Sequence, residues 1–286
     1  MPLSYSPAWG RTLATRISAT AERYFRIEVK GAEGIEAYHS QRLKSNAAGS
    51  VDDETSPSPP PYVFAVSPHN VLPISFVAFS PGGPVMRRLG AAVPSIGSAR
   101  GVASSAVFYV PLMRNLWSWL GLTAASRAHM RALLSADQSV IVCPGGVREA
   151  LYMDPRVETL FLRRRRGFVR LAMERGAPIV PCFAFGQRAA FRWWRPPSSP
   201  SLSAFARAIG YVPMLFWGMG CSPLPYPAKM TIVLGEPLTT TPPAPASEIS
   251  DEEVDTTLRV YIAAIEELFE RHKADAGYPD LELRVL

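Results

Sequence analysis

Apolar residues fall along the chain in short blocks separated by Gly, Pro and polar turns, and the spacing within each block predicts its element. Tyr62 to Ser67, Ser139 to Cys143 and Pro178 to Phe183 are nearly continuous apolar runs of strand length bounded by turn residues. That is the pattern of strands buried on both faces. Between them, helices are predicted near residues 85–91 and 113–120, over 127–135 with Ser126 as N-cap, and over 165–175. A further strand is expected at Lys229 to Leu234, and Ser250 to Glu253 is a capping-box sequence that opens a long helix over 250–275. In that helix Val254, Leu258, Ile262, Ile265 and Phe269 form one apolar stripe for docking on the body. The alternation of strands and helices predicts an α/β fold with a mostly parallel sheet flanked by helices. Functional loops then belong at the carboxyl ends of the strands.

The flanks read differently. Residues 1–48 are an N-terminal segment in which Ala21 to Val29 alternates in part like a strand, after a short helical stretch, and is expected to join the sheet. Residues 49–61 combine Asp52, Asp53 and Glu54 with a Ser-Pro-rich tract, a composition that cannot bury a core and predicts a disordered linker. The main domain is expected over 62–286.

Composition narrows the function classes. With 286 residues and 48% hydrophobic content the chain can bury one enzyme-sized core, which excludes a disordered protein. Cys143, Cys182 and Cys221 are widely spaced and odd in number, so neither a disulfide framework nor a zinc site is predicted and a reducing compartment is expected. No secretory leader is read at the N-terminus. The longest apolar stretches, 71–93 and 204–220, are broken by Pro and Gly, so no spanning helix is predicted. Residues 212–217 still combine large apolar groups with Trp217, a composition suited equally to a membrane interface and to a core. Net charge is +6, but residues 247–286 hold eleven acidic against four basic residues, which leaves +13 on the remainder. Such a body suits an anionic partner: lipid, phosphorylated small molecule or nucleic acid.

Candidate chemistry gathers at two predicted strand ends. One releases Ser67-Pro68-His69-Asn70, and a histidine fixed there can take a proton from a hydroxyl near neutral pH. The other releases Gly145-Gly146 and then Glu149, glycines that let backbone N–H groups approach an oxyanion and a carboxylate near the same edge. Glu149 reads equally as an acid favoured by the positive end of a helix. Arg163 to Arg166, with Arg170 and Arg175, form the densest positive cluster, suited to phosphate or to a solvated helix face. Arg188, Arg192 and Arg195 alternate with Phe191, Trp193 and Trp194. The GxSxG, HExxH, Walker A and GxGxxG signatures are absent, so no enzyme nucleophile is visible and any transfer is expected to be direct.

The ordered blocks Tyr62 to Pro73, Val142 to Met153, Arg165 to Met173, Gly176 to Gln187, Trp193-Trp194, Val233 to Pro237 and His272 to Gly277 resemble the plant and algal branch of the type 2 diacylglycerol acyltransferases. The resemblance covers about residues 20–286 and implies a glycerolipid-acyltransferase-like single domain. It implies transfer of a fatty acyl group from acyl-CoA to diacylglycerol at the cytosolic face of the endoplasmic reticulum membrane, with peripheral or monotopic attachment. Monoacylglycerol, a long-chain alcohol or phytol are alternative acceptors, and a non-catalytic lipid-binding homologue is the rival class. The family's essential histidine falls on His69, within the Pro68-His69-Asn70 motif. Ser67 stands where the family often has histidine or glutamate, and Asn70 where glycine or serine is common. On this reading Glu149 is expected to orient the imidazolium or to hold the acceptor, Gly145 and Gly146 to hold the oxyanion, and Arg165, Arg166 and Arg170 to hold the phosphates of coenzyme A. No metal, no nucleic-acid partner and no cofactor beyond the acyl-CoA co-substrate is expected, and the family's usual N-terminal membrane hairpin is not found in this chain.

Overall fold

The three apolar runs become the centre of a seven-stranded sheet in a computed structural model that describes residues 7–49, 61–111, 113–196, 201, 204, 214–240 and 249–286. The elements begin with α1 (Ala8–Tyr24), β1 (Glu28–Lys30), α2 (Ala32–Gly49), β2 (Val63–Ser67), α3 (Pro84–Leu89) and α4 (Pro94–Gly97). Then come β3 (Arg100–Ala103), α5 (Met113–Trp119), β4 (Leu122–Ala124), α6 (Arg127–Ser135), β5 (Val140–Val142), α7 (Val147–Tyr152) and β6 (Val157–Leu160). The chain continues through α8 (Arg166–Arg175), β7 (Ile179–Phe185), β8 (Arg192–Trp194), β9 (Leu215–Trp217), β10 (Thr231–Leu234), α9 (Asp251–His272) and β11 (Glu282–Val285).

The main sheet runs β1-β10-β7-β2-β5-β3-β4, and every pairing is parallel except β10 with β7. Registers of Ala65 opposite Val142 and Ser67 opposite Phe183 align the carboxyl ends of β2, β5 and β7. The loops after these strands therefore leave one edge together. Two small ribbons, β11 with β6 and β8 with β9, complete the strands.

Alternation along the strands divides the core. Val63, Ala65, Val140, Val142, Ile179 and Phe183 face the layer formed by α8 and α9, while Phe64, Val66, Ile141, Val180 and Cys182 face α2 and α3. On α9 the stripe of Val254, Leu258, Ile265 and Phe269 is buried with Tyr261 and Leu268, whereas Ile262 is half-buried. Each large side chain buried there contributes roughly 1.5–3 kcal/mol of transfer free energy. The capping box forms as predicted: Ser250 Oγ accepts the Glu253 N–H at 3.2 Å, and the Glu253 carboxylate accepts the Ser250 N–H at 2.8 Å.

Several expectations need correction. Residues 21–24 finish α1, with Gly10, Ala14 and Ser18 buried at four-residue spacing, and the edge strand is confined to Glu28–Lys30 after a left-handed Arg26. The helix α2 was not predicted, yet its Ala32 and Ile35 enter the core. The long helix ends at His272, before Asp275. The expected linker lies almost wholly outside the described residues, as do residues 212 and 213 of the apolar stretch over 212–217. Among the described residues no helix is long and apolar enough to cross a membrane.

Candidate active site

Strand β2 delivers the histidine. It ends at Ser67, a cis peptide precedes Pro68, and Asn70 adopts a left-handed backbone (φ 52°) that asparagine tolerates better than most residues. His69 is half-buried at this turn, and its Nδ1 lies 2.9 Å from the Asn70 carbonyl oxygen. A carbonyl can only accept, so Nδ1 carries the ring proton and the lone pair sits on Nε2. Burial lowers the imidazole pKa below its ordinary value and the positive charge of Arg165 adds to the effect, while the Asn70 carbonyl works in the opposite direction. The ring is therefore held neutral and basic at Nε2.

The second loop reaches the first by way of Glu149, on the first turn of α7. Its Oε2 accepts the backbone N–H of His69 at 2.6 Å and its Oε1 accepts the N–H of Phe161 at 3.2 Å. The acid is 1% exposed, and burial with the nearby Glu158 charge raises its pKa to about 7 against the pull of the two N–H groups and Arg165. The two glycines permit this fold-back. A Cβ on Gly145 would stand 1.7 Å from Glu149 Oε1, and Gly146 has φ 56° with ψ −157°. Glu149 thus holds the main chain of His69, and its contact is with the backbone N–H and not with the ring. The Gly146 N–H, one of the two expected to face an oxyanion, donates to the Cys143 carbonyl at 3.1 Å.

The arginine cluster separates. Arg165 reaches the site: it donates to the Gly145 carbonyl and stands 5.3 Å over the Phe161 ring. Arg166 pairs with Asp255 at 2.5 Å, and Arg170 binds Asp251 together with the Ile249 carbonyl at 2.7 Å. These two arginines, expected at phosphates, are paired with acids and tie α8 to the start of α9.

Two residues escaped the sequence reading, Gln187 and Glu158. Gln187, buried after β7, donates to the Pro68 carbonyl at 2.7 Å and accepts the Ser75 N–H at 2.7 Å, pinning the histidine turn from its far side. A polar residue directly after an apolar strand and Gly186 was the available signal. Glu158 on β6 is buried, with Arg188 at 3.9 Å, and burial raises its pKa to about 7 although Arg188 and the Asn70 amide favour its charge. Both Glu158 and Arg188 line a cleft of about 560 Å³ whose wall includes Asn70, the neighbour of His69. Trp193, Trp194 and Trp217 supply its aromatic surface and Arg192 and Arg195 add positive charge. The alternating basic and aromatic run is thus a cleft wall built on the β8–β9 ribbon. Among the described residues no group of acidic, histidine and cysteine side chains is arranged to hold a metal.

The chain is 32% identical to 2-acylglycerol O-acyltransferase 3 of Homo sapiens over 242 residues, 76% of this chain and 66% of that one. It is 28% identical to diacylglycerol O-acyltransferase 2 of Homo sapiens, over 78% of this chain and 59% of the relative. The chain therefore spans about two thirds or less of the length of these two relatives. Among solved structures, the 1-acyl-sn-glycerophosphate acyltransferase PlsC from Thermotoga maritima covers 91% of this chain and 81% of its own at 14% identity, with a TM-score of 0.46. The diacylglycerol acyltransferase family model matches residues 51–285, a span holding His69, Glu149, the arginines and the whole cleft, and the chain belongs to that family.

Proposed function

We propose that the protein transfers a fatty acyl group from acyl-CoA to the free hydroxyl of diacylglycerol, giving triacylglycerol. Monoacylglycerol and long-chain alcohols are the alternative acceptors. The reaction takes place at a membrane surface, on the cytosolic face of the endoplasmic reticulum, with peripheral or monotopic attachment. Family membership supports the reaction class, and the observation that carries it is the His69 ring, protonated at Nδ1 by its bond to the Asn70 carbonyl and basic at Nε2.

His69 Nε2 takes the proton of the acceptor hydroxyl while that oxygen attacks the thioester carbonyl. The tetrahedral intermediate collapses with cleavage of the C–S bond, and the departing thiolate recovers the proton from the imidazolium. The product is an ester and free coenzyme A, with the base restored. Glu149 keeps the histidine backbone in place throughout, and Gln187 braces the same turn. The cleft beside Asn70 accommodates the coenzyme, its arginines facing phosphates and its tryptophans the adenine. Acyl chains lie against the apolar segment of Ile74–Phe79 and the β8–β9 ribbon.

Microsomes expressing the chain are given radiolabelled oleoyl-CoA with diacylglycerol, monoacylglycerol or a long-chain alcohol, and products are separated by thin-layer chromatography. Labelled triacylglycerol is expected from the natural protein and not from His69→Ala. A folded His69→Ala protein that turns over at the normal rate removes the base.

A further inference from the structure

Asn70 is a buried donor that closes no hydrogen bond of ordinary geometry. The residue is 5% exposed and lines the cleft, its Nδ2 has no acceptor at full hydrogen-bond geometry, and Glu158 is the carboxyl whose charge it favours. Burying an amide N–H without an acceptor is unfavourable, so such a group calls for an explanation. The turn does not need the side chain, because glycine adopts φ 52° more readily than asparagine does.

We infer that Asn70 Nδ2 donates a hydrogen bond to the carbonyl oxygen of the acyl thioester and stabilises the oxyanion that forms there. The inference rests on the acyl-transfer reading and names the group that receives the charge. Two features carry it. The backbone carbonyl of Asn70 already fixes the His69 tautomer, so base and oxyanion donor are consecutive residues of one turn. That turn is braced on both sides, by Glu149 at the His69 N–H and by Gln187 at the Pro68 carbonyl, which supplies the preorganisation that charge stabilisation needs. Of the two glycine N–H groups that could serve the oxyanion instead, that of Gly146 is held by the Cys143 carbonyl.

The groups around the amide define a rival role. Glu158, with Arg188 beside it, shares the cleft wall, and the Asn70 amide favours its charged form. If Asn70 served only Glu158, removing the amide would act through the carboxyl, and Glu158→Gln would reproduce it.

The full-length protein is compared with Asn70→Gly, which keeps the turn, and Asn70→Asp, which keeps the shape and exchanges donor for acceptor. Oleoyl-CoA is the acyl donor, and its thioether analogue, which lacks the carbonyl, is the binding probe. Both variants are expected to lose about 100-fold in kcat, the loss typical of an oxyanion donor, with KM for oleoyl-CoA changed less than about threefold. The thioether is expected to bind all three proteins equally. Glu158→Gln, at a residue of the coenzyme cleft, is expected to change KM for oleoyl-CoA more than kcat. Should Asn70→Gly fail to fold, Asn70→Asp decides alone. A kcat within about threefold of the natural protein in the folded variants overturns the role, as does a matching loss in Glu158→Gln or in thioether affinity. If the natural protein itself transfers no acyl group to any acceptor, the acyl-transfer reading falls and takes the Asn70 role with it. If it is active and Asn70→Gly is unimpaired, only the Asn70 role falls.

Discussion

Glu149 meets His69 at the main chain: its carboxylate accepts the histidine backbone N–H at 2.6 Å, 80 residues away in sequence, while the ring takes its proton position from Asn70. The acid therefore sets where the imidazole stands, and the neighbouring carbonyl sets which nitrogen is basic. A carboxylate can serve two N–H donors at once, and Glu149 does so for His69 and Phe161.

Glutamine cannot take its place. In Glu149→Gln one terminal atom becomes an NH2 group facing an N–H, so one of the two buried donors loses its acceptor at a cost of about 1–3 kcal/mol. Thermal unfolding is expected several degrees below that of the natural protein. The kcat for acyl transfer is expected to fall at least tenfold as the His69 main chain shifts. Unchanged melting together with unchanged kcat would show that the two bonds do not matter.

The glycines before Glu149 make a prediction about space. Gly145→Ala places a methyl group 1.7 Å from the Glu149 carboxylate oxygen, so the fold-back must open. Low soluble yield or a sharply lowered midpoint in urea is expected, with activity lost in whatever folds. Gly167 on α8 provides the contrast, since nothing lies within 4 Å of a Cβ built there. Gly167→Ala is expected to raise stability by about 0.5–1 kcal/mol, the usual difference between the two residues in a helix. Equal effects at the two positions would contradict this account of the loop.

How far the sequence announced the site depends on which interactions build each part. The strands that deliver His69 and Gly145 were legible because burial on both faces writes a continuous apolar run, and the capping box of α9 because it is local. The edge strands Glu28–Lys30 and Leu122–Ala124 span three residues each, too few for a period to show, and their pairing is set by distant partners. Arg166 and Arg170 misled because a run of positive charge looks alike whether it faces phosphate or Asp251 and Asp255, and only the packing of α9 on α8 decides. Gln187 and Glu158 stayed hidden for the same reason. Their partners, Pro68 and Arg188, are respectively 119 and 30 residues away, so the local sequence does not show what either side chain meets.

Two buried carboxyls give the protein a pH dependence with a definite sign. Glu149 and Glu158 are each raised from about 4.5 in the unfolded chain to about 7, chiefly by burial. Between those values the folded state binds more protons than the unfolded one, so stability falls as pH rises. The stabilisation is complete below about pH 4.5 and is lost as pH passes through about 7, by up to about 3 kcal/mol for each group. Because the charge of Glu158 also raises Glu149, the pair titrates together. Glu158→Gln removes one ionisation and relieves the other, so its melting temperature should fall less between pH 5.5 and pH 8 than that of the natural protein. The measurement is a set of thermal melts across that range for both proteins at constant ionic strength. Parallel curves would mean that Glu158 ionises in the folded state as freely as in water, and that its burial in the cleft wall has no electrostatic consequence.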